Sequence, residues 1–117
     1  MRSLLASGAL ALAGFCAVAS PAFAQAGSYA VEGATLSGET YSGTVRVSRT
    51  GDTWRVEWRV GSDSYVGTAI GDANVLAVSF TGTRPGVALY VRKNNSWEGA
   101  WTFMNDRRVS SEVWIPR

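Results

Sequence analysis

From Gly27 onward, apolar residues fall at every second position in short runs, and glycine, asparagine, aspartate or proline interrupts them about every 8–12 residues. A strand repeats every two residues and a helix every 3.6, so this pattern predicts strands and leaves no stretch for a helix. The runs are Gly27–Gly33, Tyr41–Arg49, Thr53–Val60, Ser64–Gly71, Asn74–Thr81, Gly86–Arg92, Ser96–Phe103 and Arg108–Ile115. The links between them, such as Thr50-Gly51-Asp52 and Lys93-Asn94-Asn95, are short enough only for hairpins. Consecutive strands are therefore expected to pair antiparallel. Eight strands joined in this way, in so short a chain, leave no bare edge when they close into a small up-and-down β-barrel.

The segment before the strands has a different character. Met1-Arg2-Ser3 carries a positive charge, Leu4 to Ala19 is almost wholly apolar, and Pro21 precedes Ala22-Phe23-Ala24, a small-x-small cleavage signal. This order predicts a secretory signal peptide over residues 1–24 and a barrel domain over 25–117. The apolar run is short of the ~20 residues that span a bilayer. The expected destination is the periplasm or the medium, with no membrane span left after cleavage. Cys16, the single cysteine, lies inside the leader behind the bulky Phe15, and the remaining chain has none. No disulfide can staple the domain, so its core must hold it.

Alternation assigns the two faces of each strand. Trp54, Val56, Trp58 and Val60 share one face of the third run, and Trp97, Gly99, Trp101 and Phe103 share one face of the seventh. Tyr41, Gly43, Val45 and Val47 do the same in the second, and all three sets are expected inside. An aromatic-x-Gly unit recurs at Tyr41–Gly43, Tyr65–Gly67 and Trp97–Gly99. Glycine there permits sharp local bending while a neighbouring ring covers the gap. Such rings read as core packing, with a ligand-binding floor as the alternative. An eight-stranded barrel is just wide enough to be filled by side chains or to hold one small ligand. Five tryptophans in so small a domain favour filling over a large lipid cavity.

Composition narrows the function. Eleven basic and nine acidic residues give a net charge of +2, one unit of which is Arg2 in the leader. So small an excess creates no field that would steer nucleic acid. Histidine is absent. With no cysteine either, metal ligands of the soft or borderline kind and the common nucleophile–base pairs are missing, and neither a metal nor a cofactor is expected. Carboxylates alone remain for acid–base work. Asp52, Asp63, Asp72 and Asp106 fall in turns, where the side chain caps local backbone. Glu57, Glu98 and Glu112 are expected to face water. The chain reads as a binding module and not as an enzyme.

Two outer surfaces are candidate partner sites. Val66, Ile70, Val75, Ala77, Ala88 and Tyr90 are expected to face outward on the fourth to sixth strands, with Leu76, Val78, Phe80, Val87 and Leu89 inward. Contiguous exposed apolar surface commonly marks a partner site or self-association as a homodimer. A bulge or a one-residue change of register would turn part of this set inward. The second surface is the arginine row Arg46, Arg55 and Arg59, where cross-strand ion pairing is the simpler use. The loops Gly33 to Glu39 and Thr81 to Gly86 are the elements that a protease or lysozyme inhibitor of this shape would insert into a cleft. A small-ligand carrier is the remaining alternative.

Several segments together carry a resemblance. They include Tyr41-Ser42-Gly43-Thr44-Val45, the run from Arg49 to Trp58, Tyr65 to Gly71, and Asn74 to Phe80. Val87-Ala88-Leu89-Tyr90, Trp97 to Thr102 and Glu112-Val113-Trp114 complete the set. In these the chain resembles the small secreted proteins of alphaproteobacteria commonly labelled fibronectin-binding proteins, over nearly all of its length after the leader. Ala69 stands where a second glycine is expected, and Asn105-Asp106-Arg107 where a glycine-rich turn is common. The resemblance implies a barrel fold and an extracellular protein such as fibronectin as partner. It assigns no individual contact residue.

Overall fold

The computed structural model describes residues 26–117; the proposed leader lies outside the described residues. Eight strands follow one another: β1 (Gly27–Ala34), β2 (Thr40–Thr50), β3 (Thr53–Val60), β4 (Asp63–Gly71), β5 (Val75–Thr81), β6 (Gly86–Lys93), β7 (Ser96–Phe103) and β8 (Ser110–Pro116). Each pairs antiparallel with the next, and β8 returns to β1, so the sheet is a closed up-and-down barrel. Two of the expected spans, β3 and β7, match to the residue. The largest difference is at the start of β8, where Arg108 and Val109 remain outside the strand. Among the described residues no helix is long and apolar enough to cross a membrane.

Turn chemistry sets the hairpins. The two-residue links β2–β3, β3–β4 and β6–β7 open with Gly51, Gly61 and Asn94, all at positive φ. That is the backbone hand that matches strand twist, and glycine and asparagine accept it at little cost. The Asp72 carboxylate accepts hydrogen bonds from the backbone N–H groups of Asn74 (2.8 Å) and Val75 (3.1 Å), capping the β4–β5 link.

The interior is filled at one end only. Toward the end carrying the β2–β3, β4–β5 and β6–β7 links, Val31, Val56, Ala69, Leu76 and Trp97 are wholly buried. Arg49 lies over the Trp54 ring at 4.9 Å and Arg92 over Trp97 at 5.4 Å, so guanidinium planes cover that end. The opposite end, bounded by the β1–β2, β3–β4, β5–β6 and β7–β8 links, is lined by rings that remain partly exposed: Tyr41, Tyr65, Trp101 and Phe103.

Two facings differ from expectation. Strand β6 is inverted: Ala88 and Tyr90 are inside, 7% and 1% exposed, while Val87 and Leu89 are outside. The cause is register. Leu76 pairs with Tyr90, Val78 with Ala88 and Phe80 with Gly86. Paired residues share a face, so the inward β5 residues carry the smaller β6 set inward with them. The bulky Phe80 leaves no room for a side chain at Gly86. The second difference is Glu112, which is 5% exposed and points inward.

Candidate functional site

Glu112 lies in a row of paired residues that crosses five strands. Tyr41 on β2 pairs with Gly33 on β1, and Gly33 with Glu112 on β8. Glu112 pairs in turn with Gly99 on β7, and Gly99 with Tyr90 on β6. A side chain on either glycine would run into a tyrosine ring, Tyr41 over Gly33 and Tyr90 over Gly99. The two glycines therefore act as troughs in which the rings lie flat and reach the carboxylate from both sides. The aromatic-x-Gly repeat has this meaning in part, since the ring that covers Gly99 comes from the neighbouring strand and not from Trp97 two residues earlier. At Gly43 and Gly67 the constraint is instead the close backbone of Arg59 and Ser79.

The carboxylate accepts four hydrogen bonds. Tyr41 O–H donates to Oε1 at 2.6 Å. Oε2 receives Tyr90 O–H at 2.6 Å, Trp114 Nε1–H at 2.7 Å and Trp58 Nε1–H at 3.0 Å. Trp101 Nε1–H donates to the Tyr41 oxygen at 2.7 Å, which extends the network by one step. An indole N–H can only donate, so these partners suit an acceptor. Among the described residues no lysine or arginine pairs with Glu112; the ion pairs Arg55–Glu57 (3.3 Å) and Arg84–Asp106 (3.9 Å) lie elsewhere. Stacking fixes the donors: Tyr90 and Trp114 have ring centroids 4.1 Å apart, and Trp58 meets Trp114 edge-on at 6.1 Å.

Burial, reinforced by the adjacent Glu112 charge, raises the Tyr41 and Tyr90 hydroxyls above their ordinary value of 10.0. Both remain donors throughout the physiological range. The sign of the linkage follows. A proton held more tightly in the folded state stabilises that state fully below pH 10, where the unfolded phenols also keep theirs. The contribution is lost as pH rises above 10 toward the folded value. Alkaline unfolding is therefore expected to begin just above pH 10, with tyrosinate absorbance appearing in the same cooperative step as loss of β-sheet signal. Independent titration of every tyrosine near pH 10 in an intact barrel would contradict the buried network.

Above Glu112 opens a cavity of about 200 Å³. Its wall is chiefly aromatic, with Tyr41, Tyr65, Phe80, Trp58, Trp101 and Phe103 around the opening, Val60 among them, and Glu112 and Tyr90 at the floor. The wall rings brace one another edge to face, Tyr65 on Phe80 at 5.8 Å and Trp101 on Phe103 at 5.0 Å. Thr35 and Asp63 supply polar groups at the rim, and Tyr65 O–H is 2.7 Å from Thr83 Oγ1. The links proposed as insertion elements, Gly33 to Glu39 and Thr81 to Gly86, border this mouth.

The residues picked out from the sequence lie elsewhere. Val66, Ile70, Val75 and Ala77 face outward, with Ile70 63% exposed. Ala88 and Tyr90, expected beside them, are core residues, and Val87, Leu89, Val91 and Val109 complete the outer apolar face instead. Tyr90 belongs to the carboxylate network and cannot meet a partner from outside. Arg46, Arg55 and Arg59 are exposed on the outer face of β2 and β3. Arg46 stands across from Glu57, and Arg55 forms an ion pair with Glu57 along its own strand and not across strands, so the row is partly neutralised. The missed residue is Glu112. Its signal was Trp114, because residues two apart on a strand share a face.

No family model and no curated protein matches this chain. Solved structures do. A redesigned β-barrel shares the fold at a TM-score of 0.72 and 12% identity, covering 86% of this chain and 100% of its own. Another redesigned barrel, mFAP1 bound to DFHBI, gives 0.66 at 12% identity over 80% of this chain and 97% of its own. The REP1-NXSQ fatty acid transporter gives 0.55 at 12% identity over 79% and 95%. At such identities the likeness is one of fold: a small, closed, antiparallel β-barrel.

Proposed function

We propose that the protein is a non-catalytic binding barrel whose ligand is a small single-ring compound held in the mouth cavity. The observation that carries this is the uneven filling of the barrel, packed solid at one end and opening into an aromatic cavity with a polar floor at the other. An apolar cavity of about 150 Å³ is enough to bind benzene, whereas drug-sized ligands occupy about 300 Å³ or more. The cavity volume of about 200 Å³ therefore fits one ring with a short substituent and is too small for a long acyl chain. That barrels of similar fold include one bound to DFHBI and one named a fatty acid transporter supports a small-ligand-binding barrel. In this reading the leader delivers the barrel to the periplasm or the medium, where it meets its ligand.

The test is a titration of single-ring compounds and of palmitate, followed by tryptophan fluorescence and native mass spectrometry. One-to-one saturable binding of a ring compound, with none of palmitate, is the expected result. Palmitate binding, or no binding by any ring compound, would overturn it.

The outer apolar face supports a second reading, a protein partner that by the family resemblance is fibronectin. Leu89 is 53% exposed at the centre of that face, so Leu89→Asp is expected to abolish capture on immobilised fibronectin while leaving the fold intact. Equal capture by both forms would remove the face from consideration.

A further inference from the structure

The proposal that follows rests on the ligand site just described and names the chemistry it selects. The two oxygens of Glu112 are unequally engaged. Oε2 accepts from Tyr90, Trp114 and Trp58, whereas Oε1 accepts only from Tyr41. Each carboxylate oxygen carries two lone pairs, so Oε2, shared among three donors, is fully engaged, while Oε1 has met one donor. Oε1 therefore retains capacity for one further donor. Its donor Tyr41, and Trp101 which donates to Tyr41, both line the cavity; of the Oε2 donors Tyr90 and Trp58 line it and Trp114 does not.

Charge points the same way. The cavity wall carries two carboxylates, Glu112 at the floor and Asp63 at the rim, and no lysine or arginine. The nearby Arg84 is not part of the lining; it lies 4.4 Å over the Phe103 ring and pairs with Asp106. Around Glu112 the surface consists of ring faces and edges, and aromatic faces attract cations. A ligand anion would be placed against a buried carboxylate with no compensating charge. A neutral hydroxyl could also donate to Oε1, but only a cationic donor adds the attraction of opposite charges to that hydrogen bond and leaves the buried carboxylate neutralised.

We propose that the mouth cavity selects a small primary amine in its protonated form, its ammonium donating to Glu112 Oε1 and its single apolar ring held among Tyr65, Phe80 and Phe103. The site is thus an aromatic cage closed at its floor by an acid.

Benzylamine, benzyl alcohol and benzoate form a matched series of cation, neutral and anion, and test this on the unaltered protein near neutral pH. Calorimetry and tryptophan quenching are expected to show benzylamine binding about tenfold or more tighter than benzyl alcohol, with benzoate weakest. In Glu112→Gln the preference for the amine is expected to vanish. That variant also loses stability, so the ligand series on the unaltered protein decides the matter. Equal or tighter binding of benzyl alcohol or benzoate would overturn the amine assignment while leaving the cavity as a ligand site. Failure of all three to bind would remove both.

Discussion

Glu112→Gln is expected to destabilise the barrel by about 1–3 kcal/mol, a substantial part of the ~5–15 kcal/mol that holds a domain of this kind. The substitution changes size hardly at all. It replaces one acceptor oxygen by an NH₂ group that faces donors: two indole N–H groups and two phenol O–H groups converge on this side chain. Each buried donor left without an acceptor costs about 1–3 kcal/mol: the Tyr41 hydroxyl is stranded if the amide nitrogen takes the Oε1 position, and Tyr90, Trp114 and Trp58 if it takes the Oε2 position, so the first orientation is the one adopted. For a domain of this size each kcal/mol lowers the Tm by roughly 4–8 °C. Glu98→Gln is the matched control. Glu98 is exposed on the outer face of β7, where a change within about 0.5 kcal/mol is expected. Urea unfolding of the two variants checks the contrast, and an unchanged midpoint in Glu112→Gln would contradict the buried network.

Gly99→Ala is expected to cost about 3–5 kcal/mol. The added carbon would occupy the space of the Tyr90 ring. That ring is 1% exposed and stacked on Trp114, so it cannot swing aside. Overpacking of this kind costs about 1–3 kcal/mol, and displacement of the phenol adds the loss of a hydrogen bond to a charged group, about 1.5–3 kcal/mol. Gly33→Ala makes the same collision with Tyr41. Tyr41 sits at the open end with room to move, so its variant is expected to lose much less stability while altering the cavity. Comparison of the two melting temperatures checks the argument, and equal losses would show that the Tyr90 side of the row is not the rigid one.

The barrel was legible because its punctuation is local chemistry. Gly51, Gly61 and Asn94 declare their turns, and the bulky alternation of β3 and β7 leaves one choice of face. Facing was lost where both faces of a strand are apolar. On β6 the branched residues Val87, Leu89 and Val91 look more like core than Gly86, Ala88 and Tyr90 do. Hydrophobicity alone therefore selects the wrong face, and only pairing with the inward Phe80 and Leu76 decides it. On β8 the charge of Glu112 argues for an outward face, whereas Trp114 two residues on requires the opposite. The carboxylate site was hidden for a further reason: its donors come from β2, β3, β6 and β8, and no local spacing shows that they converge. The open cavity was equally invisible, because it arises from which end of each strand carries its rings.

The most direct measurement is the indole N–H spectrum of nitrogen-labelled protein during a titration with benzylamine. Trp58 and Trp101 line the cavity, whereas Trp54 and Trp97 pack at the closed end under arginine covers. The signals of Trp58 and Trp101 should move in proportion to occupancy while those of Trp54 and Trp97 stay in place. Shifts confined to Trp54 and Trp97, or spread uniformly over all five indoles, would show that the mouth cavity floored by Glu112 is not where this barrel holds its ligand.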